Sequence, residues 1–333
     1  MTILTRDTIA TMHAIDHHAA PFVLTADAIR PHLPQLPVRQ VLLQLFAALG
    51  QGQAVQPPQT LTLFPGDAGD VITYQGVLAS QQLFGAKLSP YIVTGGKPLV
   101  TAWSSLFSMQ TGQPLLFCDA SLLTVERTAG TTALAVELLA RPDSQQLALI
   151  GFGAVGQAHL RHVLTLRPWT RIRVFAPGLA ADSALQAQLL AMDARIELAT
   201  SAEDAADDAD VVMLCTSSGS PVLDVAALKK PALITSISTN VAQAHEIYPA
   251  LLPQMDVYCD HRASTPSRAG EMVLAARHHQ WQADAIRGDL AELANNLCPR
   301  PGYQRHVFFR SIGMGLQDIA IAHALLQRVQ QAG

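Results

Sequence analysis

A short apolar strand runs directly into three spaced glycines, Gly151-Phe152-Gly153-Ala154-Val155-Gly156. The strand is Leu147–Ile150, and a helix opens at Val155. In that setting the G-x-G-x-x-G spacing is the fingerprint of a dinucleotide site. The first glycine permits the tight turn, the second lets backbone approach a pyrophosphate, and the third lets helix and strand pack closely. The helix N-terminus adds free N–H groups and a partial positive charge that favours phosphate. Gly151, Gly153, Ala154, Val155 and Gly156 are therefore candidate cofactor contacts.

The surrounding pattern agrees. Strand-like segments Gln146–Ile150, Arg171–Phe175, Val211–Cys215, Ala232–Ile237 and Asp256–Cys259 are joined by helical ones such as Val155–Leu166 and Ser183–Met192. Such alternation implies parallel βαβ winding. Residues 1–125 read differently, as short helical and strand-like pieces broken by Pro and Gly. Phe22–Leu24, Thr60–Phe64, Tyr91–Val93 and Leu115–Phe117 have strand character. The turn Thr111-Gly112-Gln113-Pro114 predicts a hairpin between Trp103–Met109 and Leu115–Cys118. A helix over Thr128–Ala140 must end near Pro142. The tail from about His306 is expected to pack back on the first domain. The predicted fold class is α/β: a Rossmann-type doubly wound domain, residues 126–304, inserted into an α+β domain made of 1–125 plus 305–333.

Composition narrows the function. Charged residues make up 14% and apolar ones 49% of the chain, against about 25% charged in an average protein. That excludes a disordered chain and leaves so little charged surface that a buried subunit interface is expected. The net charge is −4 and no Lys/Arg run reaches five, so a nucleic-acid partner is not expected. No window of 18 uninterrupted apolar residues exists to span a membrane, and Met1–Asp7 lacks the start of a signal peptide. Cys118, Cys215, Cys259 and Cys298 lie far apart with no C-x-x-C, as expected for thiols of a cytoplasmic protein. The histidine pairs His17-His18 and His278-His279 have no metal-ligand spacing, so no metal is expected.

The second strand of a dinucleotide domain that binds NAD ends in an acid that grips the ribose diol. Here it ends in Ala176-Pro177-Gly178. No carboxylate is present to repel a 2′-phosphate, so NADPH is favoured, with NADH accepted. Ala176 and Cys215-Thr216-Ser217, at the ends of two strands, join the cofactor candidates.

Several further motifs occur in order: Gly85-Ala86-Lys87, Thr111-Gly-x-Pro114, Leu123-Thr-Val-Glu-Arg127-Thr-Ala129, Leu139-Ala-Arg141, the glycine loop with Gln157-Ala158, and Phe309-Arg-Ser311-x-Gly313 with Asp318 beyond it. Together they resemble the ornithine cyclodeaminase/μ-crystallin family over most of residues 80–325. The resemblance implies a Rossmann domain inserted in a substrate-binding and dimerisation domain, a homodimer, and a nicotinamide cofactor near Ser311 and Gly313. Its members act on small α-amino or α-imino acids, and μ-crystallin also serves as a binding protein. The resemblance further implies that Lys87 and Arg127 hold the substrate carboxylate. Arg offers a planar fork for that group, and Lys is a compact donor that can also release a proton.

Two positions depart from the family pattern. Gln59 stands where cyclodeaminases carry another Arg, so it can assist substrate binding without charge. Asn240 stands six residues before Glu246, where ornithine cyclodeaminase has a catalytic Asp. An amide cannot exchange a proton near neutral pH. Cyclodeamination needs such transfers, whereas imine reduction needs a held carboxylate, a proton on nitrogen and a hydride. The expected activity is therefore reduction of a cyclic imino acid, Δ1-pyrroline-2-carboxylate or Δ1-piperideine-2-carboxylate, to proline or pipecolate. Lys87 and Asn240 are the catalytic candidates, and Gln59, Lys87, Arg127 and Asn240 bind substrate. Cyclodeamination, alanine- or opine-type dehydrogenation, and a non-catalytic binding role are the alternatives.

Overall fold

Two eight-stranded sheets build the molecule, one mixed and one wholly parallel. A computed structural model describes residues 20–239 and 242–332. The first sheet uses β1 (Phe22–Leu24), β2 (Ala54–Val55), β3 (Thr60–Leu63), β4 (Gly69–Leu78), β5 (Leu83–Ile92), β6 (Leu99–Val100), β7 (Trp103–Ser108) and β8 (Pro114–Asp119). Its order is β1-β8-β7-β5-β4-β2, with β3 on β4 and β6 on β5. The expected hairpin is present as β7 and β8, with Ser104 opposite Cys118. The long β4–β5 hairpin was not expected. It pairs Tyr74 with Lys87 and turns at Gln82, which adopts φ 56°.

Helices α1 (Ala26–Ile29), α2 (Val38–Gly50) and α3 (Ser121–Leu139) lead to the second sheet. That sheet comprises β9 (Gln146–Ile150), β10 (Arg171–Phe175), β11 (Ile196–Leu198), β12 (Val211–Leu214), β13 (Leu233–Ser236), β14 (Asp256–Cys259), β15 (Ile286–Asp289) and β16 (Val307–Arg310). Its helices are α4 (Ala154–Val163), α5 (Ser183–Leu190), α6 (Ala202–Ala206), α7 (Gly270–His278) and α8 (Leu290–Ala294). Strand order is β11-β10-β9-β12-β13-β16-β14-β15. The chain winds outward from β9 to β11, then returns to β12 on the other side of β9. A crevice forms at such a reversal, beyond the carboxyl ends of the strands. The fold is a Rossmann-type unit joined to a mixed α+β unit, as read from the sequence.

One boundary differs. The tail was assigned from residue 305 to the first domain, yet β16 lies between β13 and β14 as an inner strand of the parallel sheet. Val307, Phe308, Phe309 and Arg310 are all fully buried, a run suited to a strand covered on both faces. The return to the first sheet comes after Arg310, with α9 (Gly315–Ala332), which packs on β4, β5 and β7. Helix α3 touches both halves, with α2 and α9 on one side and α4 on the other. Its Glu126 accepts from Arg161 at 2.6 Å and from His162 at 2.8 Å on α4, locking the two helices together. The acidic run Glu203–Asp208 starts as α6, capped by Ser201 Oγ accepting from Asp204 N. Among the described residues, no helix is long and apolar enough to cross a membrane.

Candidate functional site

A cleft of about 910 Å³ opens between the two sheets. One wall is the carboxyl edge of the parallel sheet. Ile150 to Gly156, Phe175-Ala176-Pro177, Cys215 to Ser218, Ile237 to Thr239 and Ser311 to Gly313 all line it. Every cofactor candidate drawn from the sequence is on this wall. At Gly151 φ is +98°, and a Cβ would stand 2.5 Å from the Cys215 carbonyl oxygen, so only glycine turns the chain here. Gly153 caps α4 without a side-chain hydrogen bond, and a Cβ built there meets nothing within 4 Å. The first-turn N–H groups of α4 have no helical partner, and Ala154, Val155 and Gly156 of that turn line the cleft. That is a fit for a dinucleotide pyrophosphate.

Two buried carboxylates hold this wall in shape. Glu246, fully buried, accepts from Thr216 N and Oγ1 at 2.8 and 2.7 Å through Oε1. Its Oε2 accepts from Ser236 Oγ, Ile237 N and Ser238 N at 2.7, 2.9 and 3.1 Å. One side chain thus ties together the ends of β12 and β13. Asp260 Oδ2 likewise accepts from Ser311 Oγ, Ile312 N and Gly313 N at 2.9, 2.8 and 2.9 Å. Below them, Arg310 forms a fully buried ion pair with Glu271 at 2.8 Å and donates to the Ser238 carbonyl.

The opposite wall is ionic. Lys87 projects from β5 toward Asp318 on α9, Nζ to Oδ2, at 2.9 Å. Arg127 projects from α3, and its Nε donates to Asp318 Oδ1 at 3.1 Å. Arg127 Nη1 also donates to Gln317 Oε1 at 3.3 Å. Lys87 Nζ lies 4.3 Å from the Tyr74 ring centroid, within cation–π range. Burial lowers the Lys87 ammonium to about pKa 8, Asp318 raises it in part, and Arg127 lowers it. Gly313 lets the guanidinium in, because its φ is +83° and a Cβ there would lie 2.3 Å from Arg127 Nη1. Thr124, three residues before Arg127, shares its helix face, and Thr124 and Thr128 both line the cleft. Lys87 and Arg127 thus meet across elements that are far apart in the chain, facing the glycine loop over the same cavity.

One expected residue, Gln59, is not brought to the cleft. Gln59 is not among the lining residues, and its carbonyl accepts from Arg268 Nη2 at 3.1 Å. The nearby Gln56 turns inward instead, its Oε1 accepting from Leu316 N at 3.0 Å. Gln59 was suggested by its alignment with the family's Arg position, and that position has no place on the cleft lining. Asn240 lies outside the described residues, as do His17 and His18. Among the described residues no group of three or more potential ligands could hold a metal. Sequence reading missed Tyr74 and Asp260, and took Glu246 and Asp318 only as parts of motifs. The available signal for Asp318 was its charge within the otherwise apolar run Ile312–Leu326, which also carries Gln317 and His323.

Comparison with known proteins agrees with this arrangement. The family model described as "Ornithine cyclodeaminase/mu-crystallin family" matches residues 22–333. An NAD(P)H-dependent anabolic L-arginine dehydrogenase of Pseudomonas aeruginosa is 53% identical over 95% of this chain and 99% of its own. A Delta(1)-pyrroline-2-carboxylate reductase of Colwellia psychrerythraea is 25% identical over 75% of this chain and 81% of its own. A solved archaeal alanine dehydrogenase dimer with bound NAD superposes with a TM-score of 0.84 at 20% identity, covering 94% of this chain and 97% of that one. The chain belongs to the ornithine cyclodeaminase/mu-crystallin family and is an NAD(P)H-dependent oxidoreductase.

Proposed function

We propose that this family member reduces the C=N bond of an α-imino acid formed from a 2-oxo acid and ammonia, yielding an L-amino acid with a basic side chain. The observation that carries the reaction class is the Lys87–Asp318–Arg127 cluster facing the glycine loop across one cleft. The 53% identity to an L-arginine dehydrogenase favours the acyclic, basic substrate. Reduction of a cyclic imino acid is the second reading, favoured by the likeness to a pyrroline-2-carboxylate reductase. The sequence favoured the cyclic imino acid, with cyclodeamination and alanine- or opine-type dehydrogenation as alternatives; the acyclic basic substrate comes from the comparison.

Arg127 offers its guanidinium fork to the substrate carboxylate, and Lys87 adds a second donor. Two cations and one carboxylate leave the cluster one net positive charge, which a substrate carboxylate neutralises. Lys87, or a water it orients, delivers a proton to the imine nitrogen. The bound cofactor supplies hydride to the imine carbon. The glycine loop and α4 hold its pyrophosphate, while Ala176 leaves room for a 2′-phosphate, in keeping with NADPH use. Ser311 and Gly313, which line the cleft, would border the nicotinamide, and Asn240 would hydrogen-bond substrate or the carboxamide. The chain works as a homodimer through the bare face of the first sheet. Its four free cysteines accord with a cytoplasmic location.

An absorbance assay of NAD(P)H oxidation tests the reading. With 2-oxo-5-guanidinopentanoate, oxidation is expected only when ammonia is also present. Faster turnover of a cyclic imine without ammonia would favour the second reading. Ammonia release from ornithine would overturn both.

A further inference from the structure

Asp318 sits in the first turn of α9 and Lys87 in the middle of β5, and each side chain is only 2% exposed. Arg127 reaches the same carboxylate from α3 with 8% exposure. Two cations this deeply buried repel one another and lose hydration, so their common position depends on a compensating charge. Asp318 is the carboxylate in contact with both. The other groups facing Lys87 are the Tyr74 ring from β4 and Ser104, its neighbour across β7. Arg268 and Asp70 act on Tyr74 from farther out.

We propose that Asp318 is a positioning residue. By bridging Lys87 and Arg127 it keeps the Lys87 ammonium protonated and aims both cations at one substrate carboxylate. The inference rests on Lys87 and Arg127 being the substrate clamp. It goes further in assigning control of their charge to a residue on the last helix. Because α9 follows β16, the chain passes through the parallel sheet before it supplies Asp318 to the clamp.

Direct titration tests the charge independently of turnover. The chain has four lysines, Lys87, Lys97, Lys229 and Lys230, so protein labelled with 13Cε-lysine gives few signals. The Lys87→Arg variant identifies the signal that is lost. In the wild type that signal is expected to titrate near pH 8. Burial and Arg127 both lower the Lys87 value while Asp318 raises it, so Asp318→Asn removes the raising influence. The midpoint is expected to fall by roughly one to three units, and Asp318→Glu is expected to restore it in large part. The alkaline limb of kcat/KM for imine reduction should move down with it. A midpoint that stays or rises in Asp318→Asn would overturn the proposal. Should that variant fail to fold, Arg127→Gln reads the same cluster from the other side. Its midpoint must rise, and an unmoved one overturns the proposal equally. A shifted midpoint with no imine turned over would instead sink the assigned reaction and leave the charge role of Asp318 standing.

Discussion

The parallel sheet is covered on both faces, whereas the first sheet is covered on one. All residues of β12, β13 and β16 are buried. In β5, by contrast, Leu83, Gly85 and Lys87 point inward while Phe84 and Leu88 remain 37% and 48% exposed. Trp103, Phe107 and Phe117 continue that outer face, with Phe84 stacked on Phe107 at 5.3 Å. Alternation of this kind belongs to a sheet with one covered face, and a bare apolar patch of aromatic residues marks an interaction surface. The contrast extends to the cleft. The wall from the parallel sheet is made of backbone, glycines and internally satisfied carboxylates. The wall from the first sheet is made of charged side chains converging from three elements.

That contrast can be broken experimentally. The largest effect is expected for Arg127→Ala, which removes one partner of a buried charge cluster and should cost about 2–5 kcal/mol in kcat/KM for the imino acid. Cofactor affinity, measured by quenching of NADPH fluorescence, should stay near wild type, because Arg127 belongs to the ionic wall. A comparable loss of cofactor affinity would mean that the two walls do not work separately. Glu246→Gln is the reverse case. Its amide cannot accept from the five donors that Glu246 satisfies. Losing hydrogen bonds to a charged group costs about 1.5–3 kcal/mol, so cofactor affinity should fall roughly tenfold or more. The KM for imino acid at saturating cofactor should change less. The smallest effect on the cleft is expected for Leu88→Asp on the bare face. Sedimentation should show a shift from twice the chain mass to the chain mass, with cofactor affinity retained. A variant that stays dimeric would remove this face from the interface.

The parallel wall was legible for a physical reason. A pyrophosphate must approach backbone closely, and only the spacing of glycines at a strand–helix junction allows it, so the requirement is written in consecutive residues. Gly151, Gly153 and Gly156 carry it within six positions. Lys87 and Arg127 were legible only through family motifs, since nothing local marks a lysine in a strand or an arginine in a helix as partners. Gln59 rested likewise on alignment with the family pattern, and such an alignment does not determine which way an irregular segment faces. The strand at Val307–Arg310 was not read from the sequence, nor were its neighbours, because a parallel strand can be inserted from anywhere in the chain.

Sequence alone therefore determined the dinucleotide unit and its cofactor loop, because short-range spacing and residue chemistry suffice for these, whereas Lys87 and Arg127 entered only through the family resemblance. Tertiary structure decided that Asp318 joins those cations, that Glu246 and Asp260 brace the opposite wall, and that β16 completes the parallel sheet. Each of these depends on burial that brings together groups separated by ten to two hundred residues or more, and no local pattern encodes such a meeting.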